Sequence, residues 1–123
     1  MDWLLPIIVV AAIVAFFFLR QRGGVSTEDA RRHLREGALL VDVRSPGEFA
    51  EGSVKGAINV PLSDLPDGMA KHCPDKNRVL LLHCASGGRS GIAVMKLRSA
   101  GYSRVFNVGS FSAAQKLAAD GGR

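Results

Sequence analysis

Paired metal ligands are the first thing this sequence lacks. Its 123 residues include two cysteines and three histidines, and none of the five stands at the short paired spacings that bring ligands onto one ion. Aromatics are scarce too: six Phe, one Tyr and one Trp. A net charge of +5 invites a nucleic-acid partner, but the basic residues are dispersed and no recognition motif is present. With few rings to stack on bases, nucleic acid is excluded, and the charge is read as a solvated basic surface close to an anionic membrane face. There are no repeats or low-complexity tracts.

Charge is missing altogether from Trp3 to Leu19, 17 residues reading "WLLPIIVVAAIVAFFFL". As a helix this run rises about 26 Å at about 1.5 Å per residue, slightly less than a hydrocarbon core about 30 Å thick. Trp3 suits one interface, and Arg20 with Arg22 the other. The acidic start "MDW" and the bulky end "FFFLRQR" argue against a cleaved signal peptide. Arg20 and the Gly23-Gly24 break argue against a buried core helix. The expectation is an uncleaved single-span transmembrane helix over residues 3–19, with Pro6 in its first turns, where a missing N–H costs little. Arg20, Arg22, Arg31, Arg32 and Arg35 follow the run, while only Asp2 and the amino terminus precede it. The positive-inside rule then expects the amino terminus outside and the remaining domain in the cytoplasm. Two unpaired thiols agree with a reducing compartment.

The chain therefore divides into an anchor with its flank (1–22), a linker (23–25) and one small domain (26–123). Ser26 followed by Asp29 signals a helix start for "TEDARRHLRE", which Gly37 ends. "ALLVDV" (38–43), "AINVP", "RVLLLHC" (78–84) and "RVFNV" (104–108) read as strands. "SPGEFAEG" reads as a turn or one short helix, and "LSDLPDGMAKHC" as helical but interrupted by Pro66. Ala93, Leu97 and Ala100 mark a helix that stops at Gly101, and "SAAQKLAAD" closes the chain as another. Strands alternating with helices predict an α/β fold, a small parallel sheet with helices on both faces. Ligands bind such sheets beyond the carboxyl ends of the strands.

Cys84 occupies that position on the most apolar strand, followed by "ASGGRSG". A thiol attacks as thiolate, and its ordinary pKa is about 8.5. The backbone N–H groups of Ala85 through Ser90 can converge in a nest, with Gly87 and Gly88 permitting the angles required. The following helix adds its positive dipole end, and Arg89 a planar fork of donors. One device would then lower the thiol pKa and hold an incoming oxyanion. Alternation along the strand points His83 away from Cys84, and His33 lies among arginines on a helix. Cys73, before Pro74, is read as structural filler rather than a resolving thiol.

"LLVDVRSPGEFAEGSVKGAINVPLSDL", "VLLLHCASGGRSGIAVMKLRSAGYSRVFNVG" and their separation resemble a single-domain rhodanese, of the thiosulfate sulfurtransferase family. The resemblance covers roughly residues 25–119 and leaves out the apolar start. It implies that Cys84 carries a persulfide and that Cys84 through Arg89 form the active loop, with Ser90 starting the helix. The family's Asp-Val-Arg element falls on Asp42, Val43 and Arg44, and its Glu-Phe pair on Glu48 and Phe49; both are taken as supporting the fold and the neighbouring loops. Gly52-Ser53-Val54 replaces the family's frequent Gly-His-Ile, and Gly109-Ser110 its Gly-Gly, which puts the turn after the last strand in question.

The implied activity is transfer of a sulfane sulfur from thiosulfate, or a related small sulfur anion, through Cys84 to cyanide or a thiol. No metal or organic cofactor is called for. Small, weakly charged Ala85 and Ser86 suggest an open mouth that would also admit a protein-borne sulfur acceptor. Two alternatives remain at this point. A Cys-dependent phosphatase or arsenate reductase would resemble Cys-x5-Arg, whereas Cys84 and Arg89 stand at Cys-x4-Arg. A rhodanese-like docking module at the membrane would not need Cys84 at all.

Overall fold

The computed structural model describes residues 2–20 and 24–121. Four strands, β1 (Leu39–Asp42), β2 (Ile58–Asn59), β3 (Leu80–His83) and β4 (Val105–Gly109), form one sheet. Their order is β2-β1-β3-β4, and every neighbouring pair is parallel. The helices are α1 (Leu4–Arg20), α2 (Thr27–Arg35), α3 (Pro46–Glu51), α4 (Asp67–His72), α5 (Gly88–Ser99) and α6 (Phe111–Gly121), with a 3-10 turn over Leu62–Asp64. The α/β architecture expected from the alternating pattern is the one present.

Strand alternation builds two cores. Leu80 and Leu82 of β3 face one side with Val41, Met69, Val94 and Leu97, so α4 and α5 cover that face. Leu81 faces the other side with Ala30, Leu40, Ala114 and Leu117, where α2 and α6 lie. Flanked by β1 and β4, β3 has no solvated face; hence its unbroken apolar run.

Local chemistry sets the boundaries. The Ser26 side chain accepts from Asp29 N at 3.1 Å and caps α2. The segment left open as turn or helix is α3: Pro46 stands in its first turn, and Ser45 and Glu48 form a reciprocal capping box. Pro66 separates the 3-10 turn from α4. Gly24, expected in the linker, instead pairs as an isolated parallel bridge with Asn107 on β4. Ser110 settles the questioned turn. Its hydroxyl accepts from Ala113 N at 3.1 Å, capping α6 where the family's second glycine has no side chain to do so.

The apolar start needs correction. Helix α1 has 17 residues, which at about 1.5 Å each rise about 26 Å, short of a hydrocarbon core about 30 Å thick. Among the described residues, no helix is long and apolar enough to cross a membrane. The single-pass transmembrane anchor over residues 3–19 is therefore withdrawn. With it go the membrane as a partner, the outside amino terminus and the cytoplasmic placement, which all rested on that span. Arg22, assigned to the far interface, and Gly23 of the linker lie outside the described residues. The side chains from Leu4 to Phe18 are exposed, so neither sheet core uses them.

Candidate active site

Strand β3 ends at His83, and Cys84 follows at the carboxyl edge of the sheet, its N–H donating to Gly109 O at 3.1 Å. The loop then turns through Gly87, whose φ of +102° lies in the left-handed region that favours glycine. That turn brings Gly87 N within 3.0 Å of Cys84 Sγ and starts α5 directly over the sulfur. The Ser90 hydroxyl lies 3.5 Å from Sγ. The far side of the loop is tied to the start of α6, where Phe111 N donates to Ala85 O at 3.2 Å and Ser86 bridges Ser110.

Burial pushes the Cys84 thiol up. The Ser90 hydroxyl and the backbone N–H groups of Ser90, Gly87 and Ser86 pull it down and prevail, so it ionises below its ordinary value. Cys84 as a residue is 1% exposed, while Ala85 and Ser86 on the rim are exposed. In this resting form the cradle is closed over the atom it serves.

The buried Ser90 hydroxyl has one proton and three acceptors: Asn107 Oδ1 at 2.7 Å, Gly87 O at 3.1 Å and Cys84 Sγ at 3.5 Å. Asn107 Nδ2 also donates to Gly87 O, at 3.2 Å. Asn107 thus braces the loop from β4. It was not singled out from the sequence, although a lone amide within the strand "RVFNV" was the available signal.

Arg89 does not aim its fork at the sulfur. Its Nη1 donates to Glu48 Oε1 at 2.6 Å and its Nη2 to Glu48 Oε2 at 3.0 Å. Arg89, and then the Ser45 backbone N–H, hold the Glu48 carboxyl down to about 2. Glu48, expected only to support the fold, is therefore part of the charge pattern at the loop.

Behind the loop, Asp42 is fully buried and accepts from Arg44 Nε at 3.0 and 2.9 Å, from Nη2 at 2.7 Å and from Arg44 N at 2.8 Å. Arg44 Nη2 also donates to Gly52 O at 2.7 Å, and its guanidinium lies 4.5 Å from the Phe111 ring centre. The pair joins the end of β1 to the end of α3 and the start of α6. His83 is buried on that same side, with Nε2 3.9 Å from Asp42 Oδ2. Desolvation lowers its pKa against the pull of Asp42, which disfavours the charged ring that an ion pair would need. Among the described residues, no group of three or more His, Cys, Asp or Glu side chains is placed to hold a metal ion.

Residues 26–116 match the family model of the rhodanese-like domain. The chain belongs to the rhodanese family. A thiosulfate sulfurtransferase of Escherichia coli (strain K12) is 39% identical over 69 residues, 56% of this chain and 66% of that protein. A thiosulfate:glutathione sulfurtransferase of Saccharomyces cerevisiae is 35% identical over 92 residues, 63% of this chain and 66% of that protein. The chain thus spans just under two thirds of the length of these curated relatives. Among solved structures, a human single-domain sulfurtransferase superimposes with a TM-score of 0.60 at 33% identity, over 69% of this chain and 87% of that one. In this rhodanese-like chain, the matched region holds Cys84 with its loop, the Asp42–Arg44 pair and Glu48. Helix α1 lies outside it.

Proposed function

We propose that this protein is a sulfurtransferase that carries a sulfane sulfur on Cys84. One observation above all supports this: in a chain of the rhodanese family, backbone N–H groups and the Ser90 hydroxyl surround a single sulfur at the carboxyl edge of a parallel sheet. The Cys84 thiolate attacks the outer sulfur of thiosulfate. The new S–S bond forms as the S–S bond of the donor breaks, and sulfite leaves with that electron pair. The persulfide takes up the negative charge among the same donors. A thiol or cyanide then removes the outer sulfur and restores the thiolate. Arg89 contributes charge near the sulfur while its fork stays on Glu48.

The deciding experiment is incubation with thiosulfate followed by intact-mass analysis and peptide mapping. One added sulfur atom on Cys84, discharged by cyanide or glutathione, is the expected result. An unmodified Cys84 with no sulfite released would end the proposal.

Ser90 provides a graded test. As Cys84 ionises, the Ser90 proton swings from Asn107 Oδ1 to the charged sulfur, a charge-assisted bond worth about 1.5–3 kcal/mol. Ser90→Ala should cut the rate at neutral pH by about tenfold. The acid limb of the pH–rate profile should move to higher pH, since the lost donor favoured the thiolate. An unmoved limb would show that Ser90 only packs the loop.

Acceptor size is tested at the rim. Replacing Ala85 and Ser86 together by bulky residues should slow transfer to a protein thiol by about tenfold more than transfer to cyanide. Equal slowing would leave no role for a protein acceptor at this edge.

A further inference from the structure

We infer that Glu48 is a specificity-determining residue that handicaps doubly charged sulfur donors by occupying the fork of Arg89. The inference rests on the sulfurtransferase function proposed above and concerns which donors that site favours.

Four charged side chains gather at the site, and they cancel. Arg44 is spent on Asp42, and Arg89 on both oxygens of Glu48. The two pairs also feel one another: Glu48 and Arg89 act on Arg44, and Asp42 and Cys84 act on Arg89. The nest of N–H groups around Sγ is therefore the main source of positive potential that no carboxylate offsets. A dianion arriving with its reacting sulfur over Cys84 meets a cation whose planar donors are already filled. To use Arg89 it must displace a carboxylate held bidentate at 2.6 and 3.0 Å. A donor with one charge asks less of that cation and loses less.

Glu48 is also held by Ser45, through the same Oε1 that accepts from Arg89 Nη1. It is the third residue of α3 in a capping box with Ser45, accepting from Ser45 N at 3.2 Å and from Ser45 Oγ at 3.0 Å. The carboxylate is thus oriented by a helix start before Arg89 reaches it, and it does not follow an incoming ligand freely.

Two donors with the same reactive group and different charge isolate the effect. Thiosulfate is a dianion and releases sulfite. Methanethiosulfonate is a monoanion and releases methanesulfinate. In each case the Cys84 thiolate forms a bond to the terminal sulfur, and the donor's sulfur–sulfur bond breaks toward the departing group. Glu48→Gln retains an oxygen acceptor for Ser45 while removing the charge and one arm of the clamp.

The ratio of kcat/KM for thiosulfate to that for methanethiosulfonate is expected to rise about fivefold in Glu48→Gln, mainly through KM, and the gain should shrink as salt screens it. With the Glu48 carboxyl held near 2, the change should hold across about pH 5–8, apart from the Cys84 titration. Glu48→Asp, which shortens the reach and keeps the charge, should give a smaller rise and serves if the glutamine variant does not fold. A ratio that stays level or falls in the folded variant overturns the inference while leaving the sulfurtransferase function standing. Failure of the unmodified protein to load sulfur from either donor overturns both.

Discussion

Replacing Cys84 by serine should lower thiosulfate-dependent sulfur transfer by about a thousandfold or more while leaving the chain folded. A serine hydroxyl is not ionised at neutral pH, and the loop holds no base to activate it: His83 lies on the opposite face of the sheet, where its Nδ1 reaches the backbone carbonyl of residue 84 at 3.4 Å and not the side chain. Even as an alkoxide, oxygen could not form the sulfur–sulfur bond on which the second half-reaction depends. Structurally the change is mild, because a serine oxygen can still accept from Gly87 N, which reaches Sγ at 3.0 Å. The expected stability loss is about 1–2 kcal/mol. Sulfite release under single turnover is the direct measurement, with intact mass as its partner. Cys73 supplies the control. It is 2% exposed in the α4 side of the core, its thiol donating to Asp75 O at 3.4 Å, and Cys73→Ser should load sulfur as the unmodified chain does. Sulfur retained in Cys84→Ser but lost in Cys73→Ser would move the carrier to the wrong residue and refute the mechanism.

The largest stability effect is expected at Asp42. Asp42→Ala strands the buried Arg44 guanidinium, leaving it Gly52 O, the Phe111 ring and the more distant Glu48 carboxylate, which Arg89 already claims. Breaking one side of a buried pair costs about 3–5 kcal/mol, because the remaining charge is neither solvated nor matched. A domain of this size has only about 5–15 kcal/mol to lose, so the urea midpoint should fall by about a fifth or more. The double change Asp42→Leu with Arg44→Met should cost less than Asp42→Ala alone, since it removes both charges from the interior. A single-variant loss below about 1 kcal/mol would mean that water reaches Arg44 and that the pair is a surface feature. Because these residues join β1 to α3 and α6, the loop around Cys84 should loosen with them, lowering sulfur transfer even where the protein remains folded.

The elements were legible where a physical signal repeats within a few residues. The run "RVLLLHC" announced a strand buried on both faces, and β3 is that strand. Ser26 and Asp29 announced the start of α2, and Gly101 the stop after α5. Cys84 at the carboxyl edge followed from the same pattern, since a strand followed by small residues and a helix places the junction there. The capping box of Ser45 and Glu48 would also have decided between turn and helix for α3; its spacing is in the sequence and was not used.

Other features could not be read that way. Arg89 was expected to face the anion, but the partner that claims its fork is 41 residues away, on a helix whose position depends on the whole sheet. Asn107 meets Ser90 only because β4 lies beside β3. The apolar start failed for a different reason: an uncharged run can be counted from the sequence, but 17 helical residues fall a few ångströms short of a span.

By itself, then, the sequence determined the succession of strands and helices, the parallel sheet and the residue at its chemical edge, because hydrophobic period and turn chemistry act over short stretches of chain. Tertiary structure alone decided which charges meet, how far the sulfur is covered, and which carboxylate stands between Arg89 and an arriving anion. Those outcomes depend on where separate loops come to rest in space, and a Coulomb pair has no period along the chain to betray it.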